Sequence, residues 1–260
     1  MDKVKYVNHL GESLDLRSNE IMSSYVALKE FTLNMSNGIL IGKSKKTPLM
    51  IVCLNRNAAN KLIDFLETDS INNQYGKIFI NDWYIEVMYQ GLQSIKTEYG
   101  EKILLKISFY VKQTMFTRQK DYVLSPKISA ISGGLDYNRG YPYDFGGDPL
   151  SMSSIENTEK LDADFILKFT APTKNVSITI GDNVYAVDFQ ISEGETFVLD
   201  TETKRVYKTS VIGETNLFPA TSDQDYIFKK IKSGIQRITW DGSYPITLKL
   251  LEHRRTPLWI

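Results

Sequence analysis

Hydrophobic and polar positions alternate with a period of two over residues 103–112. Ile103, Leu105, Ile107, Phe109 and Val111 form one row, and Leu104, Lys106, Ser108, Tyr110 and Lys112 the other. This spacing predicts a strand with one row on a core and the other toward solvent or a partner. Residues 77–80 and 83–90 flank Asn81-Asp82, the signature of a hairpin with a two-residue turn. Within it Trp83 and Tyr84 must face opposite ways; we place Trp83 inside and leave Tyr84 to a neighbour. The run 47–54 (TPLMIVCL) reads as a buried strand. One helix is predicted over residues 58–68, capped by Asn57, with Leu62, Phe65 and Leu66 as its apolar stripe and Lys61 and Asp64 facing away.

Beyond residue 150 the pattern is almost wholly that of strands. Phe165, Leu167 and Phe169 alternate, as do Val176, Ile178 and Ile180, and Gly181-Asp182-Asn183 supplies a turn before 184–189. The pairs 197–199 with 205–207 and 235–240 with 246–250 read as two more hairpins, the second turning at Asp241-Gly242. Strands at this spacing suggest a β-sandwich.

Between the halves lies ISGGLDYNRGYPYDFGGDPL at 131–150, where paired glycines and prolines interrupt any regular element. We divide the chain there, into a domain at 1–136, a connector at 137–149 and a domain at 150–260. Tyr137, Tyr141, Tyr143 and Phe145 are costly to leave in water, so they pack between the domains or anchor another subunit. Cut at residue 140, the first part carries 18 basic and 14 acidic residues and the second 13 and 17, hence +4 and −4.

Composition narrows the chemistry. The 31 basic and 31 acidic residues balance, which argues against a protein built mainly to neutralise phosphates. A single cysteine, Cys53, excludes a disulfide framework, and its apolar surroundings predict an inert thiol. His9 and His253 read as surface residues. The segment 37–44 (NGILIGKS) superficially resembles a phosphate-binding loop but has three residues between its glycines instead of four, and no helix start follows. Asp162, Asp164, Asp182, Asp188, Asp223 and Asp225 lack the spacing of a calcium loop and read as turn residues. Lys43, Lys45 and Lys46 read as a solvated loop, or as a contact to an acidic neighbour or DNA. The charged N-terminus is no signal peptide, and no run of about 18 apolar residues is present to span a membrane. The expectation is a soluble protein made in the cytoplasm.

Several segments resemble the distal tail proteins of tailed bacteriophages, especially those of phages that infect Gram-positive bacteria. Residues 4–16 (VKYVNHLGESLDL) look like their first strand and Asn…Gly-Glu turn, and 140–145 (GYPYDF) resembles their aromatic joint. Residues 197–206 (FVLDTETKRV) look like their Asp-Thr hairpin. The stretch 228–235 (FKKIKSGI) matches the pattern before their final strands, with Gln236 where asparagine is usual, and 254–260 (RRTPLWI) also fits. The resemblance implies a mainly β protein: an N-terminal tail-tube-like β-sandwich domain with one helix, followed by a galectin-like β-sandwich domain. It implies a homo-hexameric ring at the end of the virion tail, assembled in the bacterial host cytoplasm. The ring would join the tail tube protein to the tail-tip or tail-fibre hub protein and other baseplate proteins, contractile or not, around a channel for DNA. It implies no catalytic, cofactor or metal site and no membrane partner. Tyr84, Tyr141, Tyr143 and Phe145 are the expected subunit or domain interface residues.

The alternative function is a carbohydrate-binding module contacting the host cell surface, with Trp240, Tyr244 and Tyr226 as its aromatic platform. A hydrolase ranks third, given the poor histidine supply and the absence of a nucleophile motif.

Overall fold

The computed structural model describes residues 3–24, 27–29, 31, 45–96, 102–113, 115–125, 151–221, 226–241 and 244–256. It is mainly β, and every strand pairing with a described register is antiparallel. Two compact units emerge: Met1–Arg118 with His253–Ile260, and Gln119–Glu252. The chain thus leaves the first unit within one strand and returns within another. The connector at 137–149, where the sequence pattern put the break, lies outside the described residues.

The first unit holds β1 (Val4–Val7), β2 (Ser13–Asp15), β3 (Ile21–Ser23), β4 (Lys45–Cys53), α1 (Arg56–Ile71), β5 (Gly76–Ile80), β6 (Trp83–Lys96), β7 (Ile103–Val111) and the start of β8 (Phe116–Leu124). Its sheet runs β2-β1-β5-β6-β7-β4-β3 among the described residues. Although hydrogen-bonded as one sheet, it folds over on itself: the rings of Tyr6 on β1 and Phe109 on β7, three strands apart in that order, stack at 6.3 Å, and the apolar stripe of α1 packs on the same core. Leu62 and Leu66 of α1 join Tyr6, Leu49, Ile78, Val87 and Phe109 there.

Alternation along β7 is as the sequence requires: Leu105, Ile107, Phe109 and Val111 are buried. The helix begins earlier and ends later than predicted. Asn55, not Asn57, is its cap, with its side-chain oxygen accepting from the Ala58 amide at 2.8 Å. Lys45 and Lys46 belong to β4, opposite Val111 and Tyr110, so they extend a strand and not a loop. Pro48 pairs with Ser108 of β7, and among the described residues β3 pairs only with 51–53, so no described strand asks for the N–H that the proline lacks. At Gly91, φ of +131° accommodates a bulge in β6 between Tyr89 and Gly91, within the stretch paired with β7.

The second unit is a two-sheet sandwich. It contains β9 (Ser151–Asn157), β10 (Asp164–Phe169), β11 (Thr173–Ile180), β12 (Asn183–Ile191), β13 (Thr196–Asp200), β14 (Arg205–Ser210), β15 (Gly213–Asn216), β16 (Gly234–Trp240) and β17 (Ile246–Arg254). One sheet runs β15-β14-β13-β10-β17-β8 and the other β12-β11-β16-β9. The rings of Phe165 on β10 and Tyr185 on β12 meet edge to face at 5.3 Å, joining the sheets. β11–β12 and β13–β14 form the expected hairpins. β16 and β17 do not: β16 pairs with β9 and β11, and β17 with β10 in the opposite sheet. Both strands turn their apolar rows into one core from opposite sides, so the chain switches sheets between them.

Candidate assembly surfaces

In the β5–β6 hairpin, Asn81 has φ of +55°, as this turn demands, and its side-chain oxygen accepts the Lys3 amide at 3.0 Å. That turn sets the register Phe79 opposite Tyr84 and Lys77 opposite Glu86. Trp83 points inward and is 2% exposed. The guanidinium groups of Arg118 and Arg254 lie 4.7 and 5.6 Å from its ring. Tyr84 points outward and is half-buried by its neighbours on that face. Its ring lies 5.3 Å from that of Phe79, the Lys77 ammonium sits 4.4 Å above it, and Lys5 stands 5.0 Å from Phe79. This face of the first unit is therefore a pair of aromatic rings under two lysine ammonium groups, a surface suited to an apolar or acidic protein contact. Tyr141, Tyr143 and Phe145 lie outside the described residues.

Cys53 and both histidines, the candidate nucleophile and bases of the sequence, sit in structural contacts. Asp69, buried at the end of α1, accepts from the Tyr6 phenol at 2.5 Å and from the His9 amide at 2.8 Å, and its Oδ1 lies 2.6 Å from His9 Nδ1. Burial and the adjacent carboxylate push the Tyr6 phenol well above its ordinary range, so it stays protonated. Cys53 is fully buried, and desolvation raises its thiol to about 11. His253 corrects the sequence reading: it is buried, 3.2 Å from Thr117 Oγ1. The basic residues around it in the sequence disguised a strand end covered on both faces.

The sugar platform is corrected as well. Trp240 is buried and donates its indole N–H to the Tyr244 carbonyl at 2.9 Å, and Tyr244 stacks on Phe169 at 4.3 Å. Only Tyr226 is exposed; its ring and that of Phe218 meet Phe228 at 5.9 and 5.7 Å. Asp164 and Asp182 serve ion pairs, with Lys230 at 2.7 Å and with Lys229 and Lys232 at 3.4 and 2.7 Å. These pairs hold the carboxyl of Asp182 below its usual range.

No family model matches the sequence, and no curated protein matches it. Solved structures do. The SPP1 Dit (gp 19.1) protein, described as a paradigm of the hub adsorption apparatus in phages infecting Gram-positive hosts, superposes with a TM-score of 0.53 at 10% identity, over 98% of this chain and 99% of that one. The fold is that of phage tail hub proteins. Chains of the phage P2 baseplate in its activated conformation, with Ca and with Sr, each match at a TM-score of 0.58 and 13% identity, over 99% of this chain and 100% of theirs.

Sequence reasoning missed two features of this hub fold. The Asp69 clamp was invisible because its partners lie 60 and 63 positions away. The tip of the β14–β15 hairpin, Val211-Ile212, was legible in principle: two β-branched apolar residues occupy a turn where Asn or Gly is ordinary.

Proposed function

We propose that this protein is a structural hub at the distal end of a phage tail. Six copies form a ring that joins the tail tube to the tail-tip, fibre or baseplate proteins and leaves a channel for DNA. In this reading the first unit is the tail-tube-like, ring-forming part and the second the galectin-like part. The observation that carries it is the near-complete overlap, both units together, with hub and baseplate chains of phages. A superposition limited to one unit would speak only for a common β architecture. The half-buried Phe79–Tyr84 face, with its rings 5.3 Å apart, supports a protein that works by binding.

Mass photometry of the purified chain over a concentration series, with negative-stain averages of the largest species, tests the reading. A hexamer with six-fold symmetry and a central channel is expected. A monomer at every concentration would count against a ring built by this chain alone.

A second reading, a carbohydrate-binding module, retains only Phe218 and Tyr226 as exposed rings, 53% and 57% exposed. Binding to glycans or purified cell wall that depends on these two residues would support it.

A further inference from the structure

The tip of the β14–β15 hairpin is the most exposed apolar feature among the described residues: Val211 and Ile212 are 105% and 99% exposed. Nothing in the hairpin's own folding asks for them. The two residues connect Ser210 and Gly213, which pair with each other, and Gly213 with φ of +137° supplies the unusual backbone conformation. Polar or glycine residues would turn the chain at least as well. Beneath the tip the hairpin is braced by the Arg205–Glu214 ion pair at 2.6 Å and by Arg205 over Tyr207 at 4.7 Å, so the apolar pair is presented on a defined support. Local rules broken at an exposed, well-supported position mark a contact site.

Charge indicates what covers it. Dividing the chain by its compact units gives 17 basic and 12 acidic residues in the first unit and 14 and 19 in the second, hence +5 and −5. This separation is sharper than the one seen from the sequence alone. The acidic unit carries the apolar tip, with Glu214 half-exposed two positions behind Ile212. The basic unit carries the Phe79–Tyr84 face with Lys5 and Lys77 poised over the rings. A membrane surface fits the tip poorly, because the tip has neither an interfacial aromatic ring nor a basic cluster beside it.

We propose that Val211-Ile212 of one copy docks on the Phe79–Tyr84 face of a second copy, the lysines swinging toward the acidic unit as the aliphatic tip meets the rings. Such a contact is heterologous, with different patches on the two copies, and repeats around a closed ring. The proposal rests on the ring-forming reading above.

The full chain with Val211→Asp and Ile212→Asp, both at a solvent-exposed turn, keeps its melting temperature and loses self-association by about tenfold or more in dissociation constant, read by mass photometry. Lys77→Glu together with Tyr84→Ala does the same from the other side. Mixed, the two variants recover a dimer, since one intact tip and one intact face remain between them. A photo-reactive side chain at position 211 cross-links to residues 75–88 of a second copy. If wild type forms a ring and both variants form it equally well, the docking proposal fails and the hub reading stands. If wild type is monomeric throughout, the docking proposal fails, and with it a ring built by this chain alone. Cross-links from position 211 only to another tail protein also overturn the proposal.

Discussion

The Tyr6 phenol donates to Asp69 Oδ2 at 2.5 Å although 63 positions separate them in the chain, and so the first strand is tied to the last turn of the only long helix described. The carboxylate has no exposed side-chain surface and takes the His9 amide as well. Removing it leaves a buried phenol and a backbone N–H without their acceptor. Asp69→Ala is therefore expected to cost about 1–3 kcal/mol or more, and Tyr6→Phe, which leaves the carboxylate its other donors, less. Urea unfolding followed by circular dichroism checks the order; a Tyr6→Phe loss exceeding that of Asp69→Ala would show that the hydroxyl acts elsewhere.

Gly76 belongs to the same corner. A Cβ there would stand 2.1 Å from Tyr6 Oη and 2.3 Å from Asp69 Oδ2, neither of which is the free end of a flexible side chain. Gly76→Ala is expected to lower stability by about 1–3 kcal/mol through overpacking. A melting temperature equal to wild type would mean that the clamp yields easily.

Burial of Cys53 has a consequence for pH. Its thiol rises from an ordinary 9.0 to about 11 in the folded protein, so the folded state holds the proton longer than the unfolded chain does. The stability this contributes is complete below pH 9 and is lost as pH climbs toward 11. Tyr6 and Tyr185, both raised by burial, act in the same direction at higher pH. Cys53→Val, close in volume and unable to titrate, should lose less melting temperature than wild type between pH 8 and pH 11. Equal losses would show that the thiol does not contribute. In the native protein at pH 8 a thiol reagent should leave Cys53 unmodified, and in denaturant it should react fully.

Much of the fold was legible because strand parity is a local property. Ile103–Val111 buries the row that its alternation marks, and Asn81-Asp82 makes the turn that its flanks require. Parity also held the answer for Trp240, which sits two positions from Ile238 and therefore on the same inward face. Reading it as a sugar platform weighed the residue type above its register. What could not be read were decisions made between distant segments. The switch of β16 and β17 into opposite sheets depends on β9 and β10 being available as partners. His253 is buried because the end of β17 is covered on both faces, which abolishes alternation over Leu250, Leu251, Glu252 and His253. Tyr84 lies on the face of the hairpin opposite the buried Trp83, as alternation alone requires.

The two aromatic environments of the second unit separate stability from binding. Trp240→Ala removes a buried ring that also holds the Tyr244 carbonyl, and is expected to cost about 3–5 kcal/mol. Phe218→Ala and Tyr226→Ala act on half-exposed rings and are expected to lie within about 0.5–1 kcal/mol of wild type. If glycan binding is detected and survives loss of both exposed rings, the platform plays no part in it. If neither variant nor wild type binds glycans, the sandwich is a structural module.

The connector tests the ring from a different side. Tyr141 and Tyr143 stand in GYPYDF, where large rings would be costly to leave in water. Tyr141→Ala together with Tyr143→Ala removes two large rings and changes no residue of either described core. We expect the units to keep folding, with melting of the monomer largely preserved, while domain packing or ring assembly weakens. Mass photometry reads the assembly and calorimetry the units. If the variant assembles at wild-type concentrations and melts at the wild-type temperature, the rings of the connector anchor nothing, and the hairpin tip and the Phe79–Tyr84 face would have to hold the assembly without them.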